Sequence, residues 1–121
     1  MNVQTRSLRP FIGARDFELS RSFYTAFGFE ETVIDSRLSV FKLDNTAFYL
    51  QDAYVKDWID NTMVFLEMDN LDDFWTQLQT LDLPGRFPGV RIEPIRQLAW
   101  GRECFIHDPS GVLWHVGEFV L

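Results

Sequence analysis

The 121-residue sequence predicts an α+β fold: two tandem β-α-β-β-β units, residues 8–52 and 62–120, within a single domain spanning 1–121. Three observations predict it. Two segments carry apolar residues at helical spacing, and each opens on an Asp or Asn able to cap a helix. Each is preceded by one strand-like run and followed by three. The two sets superpose at an offset of 54 residues, with Asp16-Phe17-Glu18 over Asn70-Leu71-Asp72 and Tyr24 over Leu78, as an internal duplication would leave them.

In the first unit, "SLRPFIGA" reads as a strand, with Pro10 marking an edge position or a bulge. Asp16 caps a helix over residues 16–27, where Leu19, Phe23, Ala26 and Phe27 share a face and Gly28 is the stop. "ETVI", "LSVFKL" and "TAFYLQ" then form a meander broken by Asp-Ser-Arg and Asp-Asn turns. The segment 52–61 is a joining loop, and its Tyr54, Val55, Trp58 and Ile59 are packing residues rather than linker residues. In the second unit "MVFLEM" is a strand. Asn70 opens a helix with Leu71, Phe74, Trp75, Leu78 and Leu81 on one face, and Pro84 ends it. "VRIEPIRQL", "RECFIH" and "VLWHVGEF" complete the set. One helix cannot cover a sheet alone in a unit of roughly 55–60 residues, so the halves must share a core or a cleft.

Composition bounds the function. Twelve Phe and four Trp, with 46% hydrophobic residues, suffice for a core. No apolar run reaches the roughly 20 residues of a membrane span, and the N-terminus lacks a secretory apolar stretch, so the expected location is cytoplasmic. The single cysteine, Cys104, reads as an inert buried thiol. A net charge of −7 argues against nucleic acid and anionic membranes as partners and favours a cationic ligand, although surplus acid also simply keeps a Phe-rich protein in solution.

The run "RDFELSRSFYTAFGF" carries Asp16, Phe17, Ser20, Phe23, Tyr24, Gly28 and Phe29, and "WGRECFIHDPSGVLWHVGEF" carries an Asp108-Pro109-x-Gly111 turn before an apolar strand. Together with the doubled unit, these resemble the vicinal oxygen chelate superfamily, which includes glyoxalase I, extradiol dioxygenases, fosfomycin-resistance enzymes and bleomycin-resistance proteins. The resemblance covers residues 8–120 and implies curved mixed sheets around a cleft, with members commonly dimeric. It also implies four positions where metal-dependent members hold ligands. Here these are Arg9, Met63, Tyr49 (or Gln51 on a two-residue slip) and His115. Arginine stays protonated and a thioether is soft, so no metal and no cofactor are expected. A hairpin pairing His107 with Val112 and Cys104 with His115 would keep the two histidines roughly 10 Å apart, too far to share an ion.

Period-2 alternation puts Arg9, Phe11, Gly13, Ala47, Tyr49, Gln51, Met63, Phe65, Glu67, Leu113, His115 and Gly117 on the ligand-bearing face. Val64, Leu66, Trp114 and Val116 then pack under the helices. Phe11 and Phe65 read equally well as core or as ligand contacts. Arg9 and Glu67 could pair across the cleft. The expected ligand-binding set is Arg9, Phe41, Tyr49, Gln51, Trp58, Met63, Glu67, Trp100 and His115, with no catalytic residue. Two functions fit. One is a metal-independent binder of a planar or bulky cationic small molecule, as in the bleomycin-resistance branch, in a homodimer. The alternative is a lyase, isomerase or dioxygenase-like enzyme acting on a small carbonyl or aromatic compound, with His115 or Glu67 as base and Arg9 as electrophile. Trp58 and Trp100 suit either a ligand groove or a subunit interface.

Overall fold

The computed structural model describes residues 1–120. Asp16 accepts a hydrogen bond from the Leu19 amide at 3.1 Å and so caps α1 (Phe17–Phe27), while Asn70 does the same for α3 (Leu71–Leu81) through the Asp73 amide at 3.0 Å. Gly28, at φ 125°, stops α1. The strands of the first unit, β1 (Phe11–Gly13), β2 (Glu30–Asp35), β3 (Leu38–Leu43) and β4 (Thr46–Gln51), form a sheet in the order β1-β4-β3-β2, with β1 parallel to β4. The second unit repeats the arrangement with β5 (Met63–Glu67), β6 (Arg91–Gln97), β7 (Gly101–His107) and β8 (Leu113–Phe119) in the order β5-β8-β7-β6. The helices lie between the two four-stranded mixed sheets, as the sequence predicts for an α+β fold.

One apolar core joins the halves. Phe23, Phe27, Phe29, Phe48 and Leu50 of the first unit and Leu66, Leu71, Leu78, Ile106 and Val116 of the second belong to a single buried cluster. Trp114 is its hub, with ring centroids 5.4–5.8 Å from Tyr24, Phe27, Phe29 and Phe48. Each fully buried aromatic contributes roughly 1.5–3 kcal/mol. A polar thread runs through this core. Trp114 Nε1 donates to Tyr24 Oη at 2.9 Å, and Tyr24 Oη donates to Asp108 Oδ2 at 2.7 Å. Asp108 Oδ1 accepts the Ser110, Gly111 and Val112 amides, each at 2.9 Å. Burial, with the adjacent Asp108 charge, pushes the Tyr24 phenol well above its ordinary range.

Four expectations need correction. The first strand is only Phe11–Gly13, because Pro10 has no amide to donate; its carbonyl instead accepts the Tyr49 amide at 2.9 Å. The joining loop contains a short helix, α2 (Lys56–Asp60), whose Ile59 packs into the core. The stop of α3 is Asp82, in the left-handed region at φ 48°, and Pro84 instead sits in the first turn of a four-residue helix, α4 (Leu83–Arg86). The last hairpin pairs His107 with Leu113 and Cys104 with Val116, one residue from the expected register. Asp108 draws three successive amides onto one carboxylate oxygen, and Gly111 takes φ 109°, so the loop is longer than a tight turn. Among the described residues no helix is long and apolar enough to cross a membrane.

Candidate functional site

The sheet faces turned away from the helices carry the side chains that the core does not use. On the first sheet Phe11 lies opposite Tyr49 in the β1–β4 ladder and stacks on it, with centroids 4.6 Å apart and planes 15° apart. The Arg9 guanidinium sits 5.9 Å above the Tyr49 ring and accepts no role with Glu67; its Nε donates to Ser7 Oγ at 3.1 Å. The expected Arg9–Glu67 pair is therefore not formed, since the two residues border different sheets and Arg9 finds a nearer aromatic face.

The second sheet repeats the register with different chemistry. Phe65 lies opposite His115 in the β5–β8 ladder, with ring centroids 6.5 Å apart and planes 27° apart. Gly117 makes this possible, because a Cβ there would sit 2.7 Å from Phe65 Cζ. Trp100 and Phe119 complete an aromatic cluster, at 5.7 and 5.8 Å from Phe65 and 4.9 Å from each other. Phe11 and Phe65 remain 57% and 45% exposed, so neither is a core residue.

His115 has a partner that sequence reasoning missed. Glu103, only 5% exposed, accepts from His115 Nδ1 and from Arg96 Nη2, both at 3.2 Å. Arg96 also covers the Phe105 ring at 4.5 Å, and Phe105 meets His115 edge-on at 4.7 Å. Arg96 reaches Glu103 because β6 bulges between Glu93 and Arg96, around Pro94, which leaves a cavity of about 240 Å³ beside Glu103 and Cys104. The observed register would have exposed the signal: once Cys104 faces the core, Glu103 and Phe105 must share the face of His115. His107 is separate. Its Nε2 donates to Glu93 Oε2 at 2.8 Å, and that bond holds the Glu93 carboxyl below its usual range.

The other expected residues divide plainly. Tyr49 and Gln51 line the outer face of the first sheet, and Met63 and Glu67 lie along β5 on the second. Phe41 does not belong to the site. It is fully buried on the helix side, where it stacks on Phe48 at 5.6 Å, because β3 alternates Ser39 and Phe41 inward. Trp58 is 73% exposed on α2 and joins neither aromatic cluster. The four positions implied for a metal do not fit one. The Arg9 side chain is a cation over an aromatic ring, Tyr49 is a phenol stacked on Phe11, Met63 is a soft thioether, and of the four only His115 offers a good ligand nitrogen. Among the described residues no three His, Cys, Asp or Glu side chains converge as a cation site would require.

A concavity of about 710 Å³ lies elsewhere, at the start of α1 between Arg15, Phe17, Asp52, Gly89 and Pro109. Its one aromatic wall is Phe17, so it lacks the stacking surfaces that the two sheet faces carry.

No protein-family model and no curated protein matches the sequence. Solved structures do match. A bleomycin-binding protein complexed with bleomycin is 20% identical, with a TM-score of 0.80, covering 96% of this chain and 100% of its own. The bleomycin-binding protein from bleomycin-producing Streptomyces verticillus, complexed with copper(II)-bleomycin, is 20% identical, with a TM-score of 0.80 and coverage of 98% and 100%. Lactoylglutathione lyase from Agrobacterium tumefaciens is 18% identical, with a TM-score of 0.68 and coverage of 95% of each chain. With its doubled β-α-β-β-β units, this chain has the vicinal oxygen chelate fold.

Proposed function

We propose that the chain is a metal-independent small-molecule binder that sequesters a planar, cationic aromatic compound of the bleomycin type on the outer faces of its two sheets. The observation that carries this reading is the pair of exposed aromatic clusters at equivalent register, Phe11 stacked on Tyr49 and Phe65 packed against Trp100 and Phe119. Exposed rings already packed against their neighbours offer stacking surface with little ordering left to do on binding. The net charge of −7 draws in cations. Two proteins of the same fold are bleomycin-binding proteins, which supports the ligand class.

Each face is open in one chain, so a second copy is needed to close a cleft over it. The reading therefore includes a homodimer, working in the cytoplasm. The enzyme alternative draws its support from the Glu103–His115 pair, a carboxylate–imidazole arrangement that could act as a base on a small carbonyl or aromatic compound.

Calorimetric titration with metal-free bleomycin tests the binder. Saturable binding is expected, weakening as salt shortens the screening length from about 8 Å at physiological ionic strength. Trp100→Ala should cost about 1–3 kcal/mol of binding free energy if that ring is an anchor. No heat and no change in tryptophan emission at millimolar ligand would remove the bleomycin-type reading.

A further inference from the structure

We propose that His115 Nε2, fixed by Glu103, is a hydrogen-bond acceptor subsite that receives an N–H or O–H group of a planar heteroaromatic ligand, with the Phe65 ring as its movable cover. The inference deepens the binding reading above and rests on it.

The tautomer follows from the partners. A carboxylate can only accept, so the contact between His115 Nδ1 and Glu103 Oε2 at 3.2 Å requires the hydrogen on Nδ1. Arg96 already balances the Glu103 charge. In its neutral form, with the hydrogen on Nδ1, the ring presents a lone pair at Nε2. That atom is sealed from solvent and has no hydrogen-bond partner, the one such side-chain atom among the described residues. A buried acceptor left unpaired costs free energy that a ligand donor would recover.

The surroundings suit a flat donor. Phe105 walls one side of the imidazole at 4.7 Å, and Phe65 lies over it at 6.5 Å with near-parallel planes. Phe65 is 45% exposed and rests on Gly117, so it can swing outward without disturbing the core. Such exposed side chains change rotamer in picoseconds to nanoseconds.

The pair is not a requirement of the fold. In the first unit Tyr49 occupies the register of His115 between Phe11 and Val40, and Leu38 stands where the second unit has Glu103. An apolar residue fills that position there. The second unit instead keeps a nearly buried carboxylate whose visible work is to orient one imidazole.

The test uses the full chain labelled with ¹⁵N-histidine and ¹⁵N-tryptophan, and two probes of nearly equal shape, benzimidazole, which has an N–H, and 1-methylbenzimidazole, which has none. The free protein should show His115 as the Nδ1–H tautomer. Benzimidazole should move the Nε2 resonance and bind about three- to tenfold more tightly than its methylated analogue, the value of one hydrogen bond. In His115→Phe, which keeps a ring at the position, that preference should vanish while the Trp100 indole signal still responds to both probes. If both probes shift Trp100 equally and leave Nε2 unmoved in the unmodified protein, the subsite is wrong and the aromatic binding surface stands. If neither probe moves Trp100 or His115, both the subsite and the aromatic reading fall.

Discussion

Tyr24→Phe removes one oxygen from the centre of the molecule and should be among the most damaging single-atom changes available. Tyr24 Oη donates to Asp108 Oδ2 at 2.7 Å and accepts from Trp114 Nε1 at 2.9 Å, in a site with no solvent access. Losing a donor to a buried charged carboxylate costs about 1.5–3 kcal/mol, and orphaning the Trp114 N–H costs about 1–3 kcal/mol more. Partial relaxation brings the expected loss to about 3–5 kcal/mol, a large share of a typical domain's stability. Urea unfolding followed by tryptophan emission gives the value from the midpoint and slope. The loss should be smaller in an Asp108→Asn background, because the charged acceptor is gone, and the double-mutant cycle should show coupling of about 1–3 kcal/mol. A Tyr24→Phe penalty below about 1 kcal/mol would refute the claim that this thread ties α1 of the first unit to the β7–β8 loop of the second.

Three further outcomes are expected. The chain should sediment as a homodimer, and Phe65→Glu, which puts a charge among Trp100, Phe119 and Met63, should shift it toward monomer; a monomeric wild-type chain at micromolar concentration would remove the second copy from the account. Cys104, whose thiol burial pushes up to about 12, should resist iodoacetamide at pH 8 in the folded chain and react only after unfolding. Burial alone would push the Glu31 carboxyl up, but hydrogen bonds from Arg21 and Ser39, with the Arg21 charge, outweigh it and hold it below the usual range. Its folded form thus titrates below its unfolded form, so its contribution is complete above the ordinary glutamate range and is lost as pH falls through the folded value. Glu31→Gln should flatten part of the acid limb of stability measured by urea unfolding against pH, and an unchanged limb would contradict this.

The fold was legible where local chemistry and long-range packing agree. Asp16 and Asn70 cap helices at equivalent places, the apolar faces of α1 and α3 point into one core, and the 54-residue offset reappears as two sheets of the same strand order. What escaped was set by backbone detail that alternation cannot supply. Asp108 collects three amides and lengthens the last loop, which moved the β7–β8 register by one residue and hid Glu103 from view beside His115. Phe41 was misplaced for a related reason: an aromatic in a hairpin reads as available for a ligand, while the β3 alternation with Ser39 turns it toward α1. The short α2 has no side-chain cap at Val55 to announce it.

The most direct test of the central claim is a map of amide and aromatic chemical-shift changes in isotopically labelled protein titrated with metal-free bleomycin. The account predicts that the largest changes fall on Phe11, Tyr49, Phe65, Trp100, His115 and Phe119, across the outer faces of both sheets. Changes concentrated at the start of α1 around Arg15, Phe17 and Pro109, or no changes at saturating ligand, would contradict it.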